Sequence, residues 1–189
     1  MKIQKPLLFG LGAILLTQSA FARGRAPTID EHQMESLGSI LQFAIPLSGL
    51  AYSTYIKDWE GDWQFAKAYG STFVTTEVLK YTVHADRPRQ PDGIRGVSFP
   101  SGHTSSAFVG AAYWQRRYGW AIGAPMYAAA SFVGYSRIRS KTHNWADVIG
   151  GAVIGTGFGY LFTSRYSDST NVSVEPTDGG AYLHFSTKF

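Results

Sequence analysis

The stretch SRIRSKTHNWAD, Ser136 to Asp147, sets Arg137, Arg139 and Lys141 around His143, with Asp147 four residues further on. Three cations this close repel one another unless an anion sits among them. Two more segments carry groups suited to the same anion: Lys80 precedes Arg87 by seven residues in KYTVHADRP, and Ser101 and Gly102 precede His103 in PSGH. Lysine offers a compact point charge and arginine a planar fork, the two complementary ways of gripping phosphate oxygens. Seven residues make about two helical turns, so Lys80 and Arg87 are expected to project from one side of a helix end. Ser101 and Gly102 stand where a loop is expected to enter a helix. There a hydroxyl and unpaired backbone N–H groups donate to an anion, aided by the helix dipole. Gly102 lets the backbone approach closely, and Arg137 adds a third cation.

His143 and Asp147, spaced by four, share one helix face. The carboxylate can accept from one ring nitrogen, fix the tautomer and leave the other nitrogen free to attack. His103, beside the phosphate-binding hydroxyl, is placed to protonate the departing oxygen. One histidine would then be neutral and attacking, the other charged and donating. Singly, each signal has a bland reading: a solvated pair of helix charges, a structural histidine, an ordinary cap. Together they point to phosphate-ester chemistry. Arg139 and Lys141 read as a solvated basic rim, while Arg89 and Arg95 either steer anionic substrate or face water. His84, at a variable position inside the first motif, reads as a surface polar residue, and His32 and His184 lie outside the cluster in sequence. Histidines set among cations make a poor metal site, and no metal is expected.

In this order, Lys-x6-Arg-Pro, Pro-Ser-Gly-His and Ser-Arg-x5-His-x3-Asp resemble the three signature motifs of the type 2 phosphatidic acid phosphatase superfamily. That superfamily also takes in bacterial class A acid phosphatases and vanadium-dependent haloperoxidases. Here the motifs read Lys80-YTVHAD-Arg87-Pro88, Pro100-Ser101-Gly102-His103 and Ser136-Arg137-IRSKT-His143-NWA-Asp147, with no departure at any motif position. The resemblance spans residues 80–147, about two-fifths of the chain beyond residue 22. It implies a helical bundle and a phosphatase that works without metal or cofactor. His143 would form a phosphohistidine, Asp147 would orient it, and His103 would protonate the leaving group and later activate water. Lys80, Arg87, Ser101, Gly102 and Arg137 would stabilise the pentavalent transition state. Two alternatives use the same residues: a haloperoxidase holding vanadate with His143 as its ligand, and a silent member binding anionic lipid headgroups. The chain is compact for the first, and no motif position is lost as the second would require.

The elements that must position these residues are mostly helical. The 189 residues suffice for one domain with a real core. Lys2 and Lys5, the apolar LLFGLGAILL and the small-x-small AFA at 20–22 read as a secretory signal. The expected division is a signal peptide over 1–22, a helical bundle over 23–165 and a tail over 166–189. Export implies a bacterial envelope or an extracellular destination, and the expected place is the cell envelope, with the site on the periplasmic side. The chain has no cysteine, which excludes disulfides and thiolate metal sites.

Five helical segments are expected, over Leu37–Ile56, Trp63–Val83, Gly102–Tyr118, Trp120–Ile138 and Asn144–Phe162, giving an all-α bundle. Gly151, Gly155 and Gly159 line one face and invite another helix to approach. The tail alternates around Asp-Gly-Gly, as a small hairpin or an irregular end would. Between Lys80 and Asp147 lie nine Lys/Arg and three Asp/Glu, a net of +6 within a chain of net charge +4. Positive charge is therefore local, which favours an anion site over nucleic acid, for which no binding motif appears. Uncharged runs such as Leu37–Ile56 approach the ~20 residues that cross a bilayer. A mean hydropathy of −0.09 and charges on the second and third segments pull the other way. Both a membrane-embedded and a soluble bundle fit, the first favouring a phosphorylated lipid as substrate and the second a small phosphate ester.

Overall fold

A computed structural model describes residues 30–88, 97–166, 171–177 and 180–186. The expected signal segment, Arg89, Arg95 and the Asp178–Gly179 part of the expected turn lie outside the described residues. Within them the chain forms α1 (Glu31–Tyr55), α2 (Trp59–Val83), α3 (Gly102–Tyr118), α4 (Trp120–Arg139), α5 (Trp145–Phe162), β1 (Asn171–Thr177) and β2 (Gly180–Ser186).

Three of these helices match the sequence expectation to within a residue, whereas α1 and α2 begin earlier, and capping is the reason. Asp30 accepts from the Gln33 N–H at 2.7 Å while the Gln33 side chain accepts from the Asp30 N–H, a reciprocal box that starts α1 before its apolar face begins. Asp58 likewise accepts from the Gly61 N–H at 3.0 Å and starts α2.

Short connections join α1 to α2, α3 to α4 and α4 to α5, whereas 18 residues separate α2 from α3; Gly119 alone, at φ 96°, turns α3 into α4. Helix α3 is the axle. Ala107, Val109, Ala111, Ala112 and Tyr113 on it are fully buried. The other four helices surround it in the order α1, α2, α5, α4, with α4 returning to α1. The most extensive packing is α5 on α3, and the glycine stripe permits it. A Cβ on Gly151 would lie 2.6 Å from the Ser101 carbonyl oxygen, and one on Gly155 or Gly159 would run into Ser105 or Ala112. This winding brings the end of α2, the start of α3, the end of α4 and the start of α5 to one end of the bundle.

At the opposite end Asp58 and Arg117 form a buried two-pronged pair, with Arg117 Nε 2.8 Å from Asp58 Oδ2 and Nη2 2.5 Å from Oδ1. The Tyr118 hydroxyl donates to the same carboxylate at 2.9 Å, and Arg117 reaches on to the Ser164 carbonyl at 3.2 Å. One cluster thus pins the α1–α2 turn, the end of α3 and the segment leaving α5. The tail beyond is an antiparallel hairpin, in register from Asn171 opposite Ser186 to Thr177 opposite Gly180.

The bundle's outside is apolar. Ile40, Phe43 and Leu47 on α1, Phe73 and Val74 on α2, and Ile149 and Val153 on α5 each expose more than half their surface. Among the described residues α5 is the one helix long and apolar enough to cross a membrane. Trp59, Trp63, Trp120 and Trp145 are also exposed at helix starts, as an interfacial belt requires. Trp114 differs: it is buried, donating to Ser48 at 3.1 Å.

Candidate active site

Every sequence-predicted site residue lies at the end of the bundle where the three motif segments meet. Ser101 caps α3, accepting from the Thr104 hydroxyl at 3.0 Å and the Thr104 N–H at 3.4 Å, which leaves its own proton for another acceptor. The first N–H groups of α3, on Gly102 and His103, have no carbonyl within the helix to bond. Lys80 reaches this spot from the last turn of α2. A Cβ on Gly102 would stand 3.2 Å from its Nζ, so the missing side chain leaves room for the ammonium beside the helix N-terminus. Lys80 also pairs with Glu77 at 2.5 Å.

Arg87 departs from the expected geometry. His84 adopts a left-handed conformation, φ 49°, and ends α2 at Val83, so Arg87 stands in the loop beyond the helix. It is exposed, yet its charge acts on both His103 and His143, and it therefore joins the cluster without sharing a helix with Lys80. Arg137, 3% exposed, is braced by the Glu35 carbonyl at 2.5 Å and the Ser136 hydroxyl at 3.1 Å. Arg139 pairs with Glu31 at 3.2 Å at the surface and Lys141 is exposed, as a solvated rim would be. His84 and His32 are exposed.

His143 stands two residues before α5, not on the helix face that the spacing suggested, and Asp147 lies in the first turn of α5; they are buried to 6% and 3% exposure. Asp147 Oδ2 accepts from the Asn144 N–H at 2.8 Å, fixing the carboxylate across the helix start, and lies 3.4 Å from His143 Nδ1. The Asp147 carbonyl accepts from the Ser101 N–H at 3.0 Å, tying the starts of α3 and α5 together. With Nδ1 turned to acceptors, Nε2 is the ring atom left for chemistry.

One contributor escaped the sequence reading. Ser98, fully buried, donates to Asp147 Oδ2 at 2.5 Å and stands 3.3 Å from His143 Nδ1. Its only signal was a lone hydroxyl between apolar Val97 and Phe99.

The electrostatics qualify the expected division of labour. Burial holds the His143 imidazole below its ordinary range, helped by the Arg87 charge and opposed by Asp147. Burial, then the charges of Arg137, His143, Lys80 and Arg87, push His103 down to about 4. The protein's own groups therefore keep both imidazoles neutral at pH 7, and His103 is not a standing proton donor. A phosphate dianion among the same cations works in the opposite direction, favouring the proton on His103. Among the described residues no group of three or more His, Asp or Glu is gathered as a metal would need.

A model of the family described as the PAP2 superfamily matches residues 62–171. The lipid A 4'-phosphatase of Helicobacter pylori is 33% identical over 145 residues, which cover 70% of this chain and 71% of that protein. Among solved structures, LpxE of Aquifex aeolicus superposes with a TM-score of 0.61 at 23% identity, covering 85% of this chain and 98% of that one. A transmembrane PAP2-type phosphatidylglycerolphosphate phosphatase from Bacillus subtilis superposes with a TM-score of 0.56 at 22% identity, covering 82% and 86%. These two structures share the fold of this chain.

Proposed function

Because the chain belongs to the PAP2 superfamily and is a phosphoric-ester hydrolase, we propose that it releases phosphate from a lipid of the cell envelope through a phosphohistidine on His143. The observation that carries the lipid reading is a groove of about 310 Å³ between α1, α2 and α3. Lys80, Gly102 and His103 line its site end, and Phe43, Tyr69 and Phe73 line it further along the helices. Phe43 and Phe73 are also part of the exposed apolar outside. A phosphate held by the cations would thus leave its apolar remainder pointing to where lipid chains lie. The bundle seats its apolar belt in a bilayer with the site at headgroup level, and the 4'-phosphatase relative, named for a lipid substrate, supports the same reading.

In the proposed reaction Lys80, Arg87 and Arg137 hold the phosphoryl oxygens, together with the Ser101 hydroxyl and the first N–H groups of α3. Catalysis of this kind is mainly positioning and charge stabilisation. His143 Nε2 attacks phosphorus as the bond to the ester oxygen breaks, and Asp147 takes up the charge that develops on the imidazole. His103, protonated once phosphate is bound, gives its proton to the leaving alcohol. It then takes a proton from the water that attacks phosphorus, which breaks the P–N bond and frees phosphate. Residues 1–22 serve as an export signal, the mature chain divides into bundle and tail near residue 165, and the site faces the periplasm.

A phosphate-release panel tests the substrate class. Lipid phosphates in mixed micelles should exceed short-chain and sugar phosphates in kcat/KM by about 100-fold, the equivalent of burying several methylenes. Equal turnover of glycerol phosphate and phosphatidic acid would remove the lipid reading and leave the phosphatase standing.

A further inference from the structure

Ser98 lies where the three motif segments touch. Its N–H donates to the Ala85 carbonyl at 2.8 Å, in the loop that carries Arg87. Its hydroxyl donates to Asp147 Oδ2 at 2.5 Å, and the same oxygen stands 3.3 Å from His143 Nδ1, as near as Asp147 Oδ2 at 3.4 Å. The hydroxyl proton belongs to the short contact, because a carboxylate is the stronger acceptor. The lone pairs of Ser98 then face the imidazole, so that the Nδ1 proton is shared between Ser98 Oγ and Asp147 Oδ2. Three groups close a triangle, all of them 6% exposed or less.

We propose that Ser98 is a positioning residue for the phosphatase, holding the Asp147 carboxylate and the His143 ring in the tautomer that presents Nε2 to phosphorus. Two consequences follow from its double role. As a donor it draws charge from Asp147 and weakens that carboxylate's pull on the imidazole proton. As an acceptor it supplies a second, fixed point that stops the ring from rotating. Losing the short donated bond outweighs losing the longer accepted one, so removal of the hydroxyl makes Asp147 a stronger partner and His143 more basic. The remaining charges facing His143 are Arg87 from the α2–α3 loop, Arg137 from α4 and, when protonated, His103 from α3. A change at Ser98 touches none of them directly.

The inference rests on His143 as the attacking group, and a His143→Ala control separates the two ideas: an active control removes the reaction and the role of Ser98 with it, whereas an inactive control beside an unaffected Ser98 variant removes the role of Ser98 alone. With that control inactive, Ser98→Ala should lower kcat about 10- to 100-fold, the usual loss when a supporting hydrogen bond is removed. Competitive inhibition by inorganic phosphate should stay within about threefold, because the cations that hold phosphate are unchanged. The acid limb of kcat/KM should move to higher pH. Ser98→Cys, of similar shape but a weak donor, should fall between parent and alanine variant, and serves as the test if the alanine chain does not fold. An unmoved acid limb would overturn the proposal, as would a loss of kcat matched by an equal loss of phosphate binding.

Discussion

Glu77 Oε1 stands 2.5 Å from Lys80 Nζ, one turn before the helix end and on the wall of the groove. The lysine that should grip phosphate is thus already engaged by a carboxylate, and substrate must compete for it. Both side chains are partly exposed, so the competition is modest. Glu77→Gln should tighten inhibition by inorganic phosphate about two- to fivefold and leave kcat nearly unchanged. Weaker phosphate inhibition in the variant would show that Glu77 instead holds Lys80 in its working position.

The groove makes its own prediction. Phe73, 59% exposed, lines it at a distance from the phosphate-holding groups. Phe73→Asp should raise KM for a lipid phosphate about tenfold or more, while p-nitrophenyl phosphate, which has no chain to seat, is turned over as before. Equal loss on both substrates would mean that the groove supports the site and does not receive substrate.

The pH profiles should differ in a defined way. His143 must be neutral to attack and its proton affinity is depressed, so the acid limb should lie below pH 6.5, the ordinary imidazole value. His103 sits at about 4 among the protein's own charges, whereas a bound phosphate dianion favours its proton. The alkaline limb of kcat, which reports the complex, should therefore lie well above that of kcat/KM, which reports the free protein. Coincident alkaline limbs would contradict a proton that arrives with the substrate.

Stability should depend on the other end of the bundle. Asp58 lies 22 residues before Lys80, about 33 Å along a helix. Burial alone would raise its carboxyl, but hydrogen bonds from Arg117, Gly61 and Tyr118 outweigh that and hold it below the ordinary range. Arg117→Leu strands this carboxylate, and should cost about 3–5 kcal/mol in chemical denaturation. The activity of the folded fraction should stay at the parental level. Asp58→Asn combined with Arg117→Leu should recover part of the loss, since no buried charge then lacks a partner; a double variant worse than the single would contradict this.

Much of this was legible in the sequence because it is local. The pairing of His143 with Asp147, the cap at Ser101 and the glycine stripe of α5 follow from spacings within one helix or one turn. What was missed depends on contacts between distant segments. Ser98 meets Asp147 49 residues away, and Asp58 meets Arg117 across 59. No periodicity carries such pairs. Arg87 was misplaced onto a helix because a spacing of seven looks helical, while the left-handed His84 that ends α2 is a conformation its residue type does not announce. The charge state of His103 needed its burial and the summed field of Arg137, Lys80 and Arg87, none of them adjacent in sequence.

Rapid acid-free quenching of the reaction with labelled phosphate ester, followed by peptide mapping, addresses the attack itself. Phosphate should appear on His143, in a bond stable to alkali and lost in acid, within the first turnover, and should be absent from His143→Ala. A parent protein that turns over at full rate with no label on that histidine at any time would mean that water, and not the imidazole, meets phosphorus.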